Sequence, residues 1–141
     1  MFGKTILKID NKNNIEVEDM FNLHKRYYYF LSKSCGIIYS EDSIQRIVMY
    51  AYQHVGEINF VLTDFCSKLI PLELSHESKI TIPESFVDSL KIKDNVLLIG
   101  IGDRLELWDE KTFLKFEEKT KDSNKIKIGF GADIAKGEKN V

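Results

Sequence analysis

The chain has 141 residues, 43% of them hydrophobic and 30% charged, with a formal net charge of −2. That length suits one compact unit, or two small halves sharing a core, and the mix is that of a globular protein. No apolar run is long enough to span a bilayer, and the start MFGKTILKID lacks the pattern of a signal peptide. Residues 1–70 carry 8 basic and 8 acidic side chains and residues 71–141 carry 12 and 14, so neither half has the basic excess of a free-standing, non-specific DNA binder. Cys35 and Cys66 lack metal-type spacing and are expected to be reduced core residues of a cytosolic protein.

Residues 4–9 (KTILKI) alternate as a strand, and Asp10 to Asn14 is a turn by composition. Ile15 and Val17 then face one way and Glu16 and Glu18 the other, which predicts a hairpin partner. Glu18 to Lys25 is expected to form a short helix carrying Met20, Phe21 and Leu23. Tyr27 to Leu31 is rich in β-prone aromatics, and its alternation predicts cover on both faces. Ile37 to Tyr39 makes a second short strand.

Ser40 is a predicted N-cap, with Glu41 and Asp42 in a first helical turn. Ile44, Ile47, Val48, Ala51 and Val55 follow helical spacing, and Gly56 suits the position past the end. Ile58, Val61, Leu62 and Phe65 repeat the pattern in a second helix, expected to pair with the first. Leu69 to Leu74 reads as a strand, with Ile80 and Ile82 on the return strand. Pro83 is placed at the first helical position, ahead of Phe86, Val87 and Leu90. Val96 to Ile101 is a buried strand, and Gly102-Asp103 turns it into a strand carrying Leu105 and Leu107. Asp109 and Glu110 open a helix with Phe113 and Phe116. From Thr120 the lysine- and glycine-rich sequence reads as a loose tail, or as an arm using Ile126, Ile128 and Phe130 as a short strand.

Superposing Asp10 on Ser75 aligns Ile9 with Leu74, Ile15 with Ile80, Val17 with Ile82 and Phe21 with Phe86. A further three-residue shift aligns Tyr28–Leu31 with Val96–Ile99, Ile37 with Leu105 and Tyr39 with Leu107. One supersecondary unit is thus written twice, and neither copy buries its apolar face alone. The expected fold is α+β and mainly β. Two hairpin-bearing halves, 1–56 and 69–119, close a core about a pseudo-two-fold axis. A connecting helix at 57–68 joins them, with a tail or arm at 120–141.

The run KITIPESFVDSLKIKDNVLLIGIGDRLELWDEKTF is similar to the second half of the MraZ family of bacterial transcriptional regulators, itself like the swapped-hairpin DNA-binding proteins of the AbrB type. The start MFGKTILKID, the duplication and the helical pair extend the resemblance over roughly residues 1–118. It implies a cytoplasmic, nucleoid-associated, ring-like homo-oligomer. That assembly would bind double-stranded DNA repeats upstream of a division and cell-wall gene cluster. Family members carry an Asp-x-x-Gly-Arg loop in each half, the arginine being expected to contact DNA. Here the loops are Asp10-Asn11-Lys12-Asn13-Asn14 and Ser75-His76-Glu77-Ser78-Lys79, so a lysine stands for one arginine and an asparagine for the other.

By that resemblance the DNA-binding candidates are Lys79, for phosphate, with Lys8, Lys12 and His76 on the same pair of loops. Asp10 and Ser75 head the two loops, and Asn14 offers an amide that could pair with adenine. Lysine is a point charge, without the planar fork that reads a guanine edge. The alternative is a non-catalytic scaffold or partner-binding protein on the same fold that has lost sequence-specific DNA binding. His24, His54 and His76 fall in three different elements, so no metal site is expected. The Gly100–Asp103 turn lies between strands and is no phosphate loop. No nucleophile motif occurs, and neither catalysis, a cofactor nor a small-molecule substrate is expected.

Overall fold

Eight strands, four helices and a 3-10 turn follow one another in a computed structural model that describes residues 3–54 and 58–131, the side chains of 58–61 and 121–131 excepted. The strands are β1 (Lys4–Lys8), β2 (Asn14–Glu16), β3 (Tyr27–Leu31), β4 (Gly36–Ser40), β5 (Ile70–Leu72), β6 (Lys79–Thr81), β7 (Asn95–Ile101) and β8 (Arg104–Asp109). The helices are α1 (Glu41–His54), α2 (Ile58–Ser67), α3 (Glu84–Leu90) and α4 (Glu110–Gly131). The chain divides into two units, residues 1–110 and 111–141. The class is α+β and mainly β, as expected.

All the sheet pairings lie in the first unit and all are antiparallel. Six strands form one sheet in the order β1-β7-β8-β4-β3-β5, and β2 pairs with β6 in a separate two-stranded ribbon. Exchanging each of β1–β4 with its counterpart among β5–β8 reverses the six-strand order and leaves the ribbon unchanged. The exchange is a swap: β1 lies beside β7, and β5 lies beside β3. Ile15 sits opposite Ile80, with Asn14 opposite Thr81 and Glu16 opposite Lys79. The ribbon therefore turns about the Ile15–Ile80 pair.

The core lies between the ribbon and the sheet. Ile15, Val17, Ile80 and Ile82 are all 1% exposed or less, joined by Tyr29, Phe86, Val96, Leu98 and Leu107. Burying such a side chain is worth about 1.5–3 kcal/mol, so the apolar alternation of β2 and β6 fixes which face turns inward. The Tyr29 ring meets Phe86 edge-on at 5.6 Å, and its hydroxyl donates to the Thr81 carbonyl at 3.0 Å. On the other face of β3, Phe30 packs on Phe65 of α2 at 5.0 Å, so both faces of the aromatic strand are covered. Gly36 leaves room for α3: a Cβ there would lie 2.9 Å from the Phe86 ring. The Ser40 hydroxyl accepts from Ser43 N at 3.2 Å, capping α1 as read from the sequence. The α1 and α2 helices contact each other.

Several local expectations are corrected. Glu18 to Lys25 holds only the 3-10 turn at Glu18–Met20. There the Asn22 side chain accepts from His24 N at 2.9 Å and the Asn22 carbonyl from Lys25 N at 3.1 Å, local bonds that compete with a helical ladder. Pro83 is the N-cap of α3, one residue before the predicted position: its ψ of 142° is extended, and its carbonyl accepts from Phe86 N and Val87 N. The strand read over Leu69–Leu74 is only Ile70–Leu72, an edge strand whose Pro71 has no N–H to donate. Cys35 is buried, but Cys66 is exposed on α2. The segment from Thr120 is neither loose nor a strand as far as Gly131, since α4 runs through it, a stretch free of proline and with helix-forming lysines at Lys121, Lys125 and Lys127. The expectations for Val55 and Gly56 and for residues 132–141 lie outside the described residues.

Candidate nucleic-acid interface

The two loops singled out in the sequence are built alike. In the first, Asp10 N donates to the Asn14 carbonyl at 3.0 Å and Asn13 N to the Asp10 carbonyl at 3.0 Å. In the second, Ser75 N donates to the Lys79 carbonyl at 2.9 Å and Ser78 N to the Ser75 carbonyl at 3.1 Å. Each loop is also tied by the side chain of its first residue. Asp10 Oδ1 accepts from Lys12 N at 2.8 Å and Asn14 N at 2.9 Å. Ser75 Oγ accepts from Glu77 N at 3.2 Å and Lys79 N at 3.1 Å. The fourth residue of each adopts a left-handed φ, 65° at Asn13 and 59° at Ser78. Glycine enters that region freely and asparagine with some ease, whereas serine is strained there.

The loops are joined through the ribbon. Val17 N donates to the Ser78 carbonyl at 2.8 Å, and Ile82 N to the Asn13 carbonyl at 2.7 Å. Each loop thus receives a bond from the strand of the other. On the outer face, Thr81 Oγ1 donates to Asn14 Oδ1. The Asn13 amide reaches Glu84 Oε1 at 3.0 Å, pinning the first loop to the start of α3.

An open cleft of about 630 Å³ lies between the loops and β5. Asp10, Lys12, Asn14, Ser75 and Lys79 all line it, so the fold brings together five of the seven candidates. Lys8 and His76 are exposed but outside the lining. Sequence reasoning passed over Thr81, Glu73, Glu77 and Tyr29, which line it too. Thr81 was available from the alternation, two residues beyond Lys79 on the outer face of β6. Tyr29 and Glu73 were not, because only the β3–β5 pairing carries them there.

The cleft holds carboxylates at Asp10, Glu73 and Glu77 against ammonium groups at Lys12 and Lys79. Lys79 Nζ lies 3.9 Å from Glu77 Oε1, a loose surface pair of little worth. The backbone N–H groups of Asn14 and Lys12 hold the Asp10 carboxyl below its ordinary range, aided by the Asn14 side chain and the Lys79 charge. Burial pushes the Tyr29 phenol up, so it stays a neutral donor to Thr81. Among the described residues, no group of three or more histidine, cysteine, aspartate or glutamate side chains is placed to hold a metal ion. No helix among them is long and apolar enough to cross a membrane.

The family model described as "MraZ protein, putative antitoxin-like" matches residues 72–128, from the end of β5 into α4. A transcriptional regulator MraZ of Ureaplasma parvum is 34% identical over 118 residues, which cover 77% of this chain and 80% of that protein. A transcriptional regulator MraZ of Mesomycoplasma hyopneumoniae is 25% identical over 130 residues, 87% of this chain and 88% of that protein. One from Mycoplasmopsis pulmonis is 24% identical over 136 residues, 92% of each. On these matches the chain belongs to the MraZ family as a divergent member.

Proposed function

We propose that the protein is a DNA-binding transcriptional regulator of the MraZ type, acting in the cytoplasm on the nucleoid as a non-catalytic, ring-like homo-oligomer. Its targets would be repeats upstream of a division and cell-wall gene cluster. The observation that carries this reading is the pair of matching loops tied across one ribbon, with Lys79 and Asn14 at equivalent positions. Lys79 supplies charge to phosphate, and Asn14 supplies an amide for a base edge. A single such site is weak, and affinity is summed over subunits. The reversing strand order supports the division into halves 1–56 and 69–119, joined through 57–68 and followed by 120–141.

The test is fluorescence anisotropy with the gene's own upstream duplex at two salt concentrations. The expected result is binding at micromolar subunit concentration that weakens as salt rises. Lys79→Ala should weaken binding to all sequences alike and lower the slope of log K against log salt by about 0.9, the loss of one phosphate contact. Absence of salt-dependent binding by the unaltered protein would end the regulator reading.

The second reading, a partner-binding scaffold, is favoured by the excess of carboxylates in the cleft and the Glu77 carboxylate near Lys79. It predicts no DNA binding and an unchanged assembly mass when Lys79 is replaced.

A further inference from the structure

The sign of charge changes between the two units. Residues 1–110 carry 12 basic and 17 acidic side chains, whereas residues 111–141 carry 8 and 5. The basic excess, absent when the chain is cut at its midpoint, falls in residues 111–131, with 6 basic and 3 acidic side chains, while residues 132–141 carry 2 of each. Within α4, Lys111, Lys115 and Lys119 recur every four residues and are all exposed. Four residues advance the helix by about 40° and 6 Å, so the three ammonium groups form one gently winding row. Phe113 and Phe116, whose rings meet at 6.1 Å, lie on a different arc of the helix.

Like charges four apart destabilise a helix, and the usual remedy is an interleaved carboxylate four residues away. None of the three lysines makes an ion pair with a described residue. Glu118, three residues after Lys115, lies beside the row, so the row is three exposed, unbridged lysines at regular spacing with one carboxylate at its edge. A lysine row along one helix is the electrostatic footprint of a polyanion with repeating charge.

We propose that Lys111, Lys115 and Lys119 form a second nucleic-acid contact, binding the phosphate backbone of duplex DNA without reading its sequence. The proposal rests on the DNA-binding reading and assigns most of the salt-dependent affinity to α4. The hairpin loops, whose cleft holds more carboxylates than ammonium groups, would then contribute position more than strength.

The test uses the full chain with Lys111→Gln, Lys115→Gln and Lys119→Gln combined, beside Lys79→Ala. Glutamine keeps helix propensity close to that of lysine, and far-ultraviolet circular dichroism checks that the helix is kept. Anisotropy titrations over a salt series, with two duplexes of unrelated sequence, should show the slope falling by about 2.7 for the triple variant and about 0.9 for Lys79→Ala, alike on both duplexes. A wild-type slope retained by the triple variant, in a protein that binds DNA, overturns this proposal and leaves the loop reading standing. Failure of the unaltered protein to bind DNA overturns both. An unchanged slope with a changed native mass assigns the row to subunit contact and overturns the DNA assignment.

Discussion

The two loop-and-turn segments share a backbone but differ in how it is held. The first is tied by a carboxylate, Asp10, and takes its left-handed residue from asparagine. The second is tied by a hydroxyl, Ser75, at longer distances, and forces Ser78 into the left-handed region. The helical segments beyond the loops reverse the contrast. After the second loop, Pro83 caps a seven-residue helix whose Phe86 is 1% exposed, at the centre of the core. After the first, Glu18 itself has a φ of 44°, and the chain makes only a 3-10 turn, with Phe21 at 6% exposed. The better-made loop therefore precedes the weaker helical segment. Backbone geometry common to both is set by the ribbon and its shared hydrogen bonds, while side-chain identity adjusts each end separately.

The largest expected effect is in the core. Phe86→Ala should cost about 3–5 kcal/mol in urea unfolding, and Phe21→Ala clearly less, because a site over a short turn collapses more readily around a cavity. Equal costs would show that the two segments are energetically equivalent despite their different backbones. A smaller effect separates the loops themselves. Ser78→Gly should stabilise by about 0.5–1 kcal/mol, through relief of left-handed strain, and Asn13→Gly should gain less or lose the Glu84 bond. A destabilised Ser78→Gly protein would mean that the second loop is not strained.

The smallest effect is in acid. The folded-state pKa of Asp10 is depressed, so its contribution is complete above its unfolded value of about 3.9 and fades as pH falls through the lower folded value. Asp10→Asn should flatten the acid side of a plot of Tm against pH below about 4, whereas Ser75→Ala should leave that limb unchanged. An acid limb identical in wild type and Asp10→Asn would remove the charge-assisted tie from the contrast.

Most elements were legible because burial on one face imposes a period. Ile15, Ile80 and the run from Val96 became strand residues facing the core, with Val17 and Ile82 buried just past the ends of β2 and β6. The loops were legible as turns, since aspartate, asparagine and serine bond their own backbone. The segment after Glu18 was not, because Asn22 bonds the His24 and Lys25 backbone locally and the Tyr27 contacts, to the Phe21 ring at 4.9 Å and to Asn22 N at 3.1 Å, do not show in periodicity. Of the candidate site, the loop residues were legible and the partners carried in by β3 and β5 were not.

The sequence by itself determined the α+β class, the two loops and their offset, because apolar period and turn chemistry are local properties. Only the tertiary structure decided that β1 lies beside β7 and β5 beside β3, and that β2 pairs with β6 so that Asp10 and Lys79 line one cleft. Strand partners are chosen by which edges and faces remain unburied once every other strand is placed, and no local stretch of sequence carries that sum.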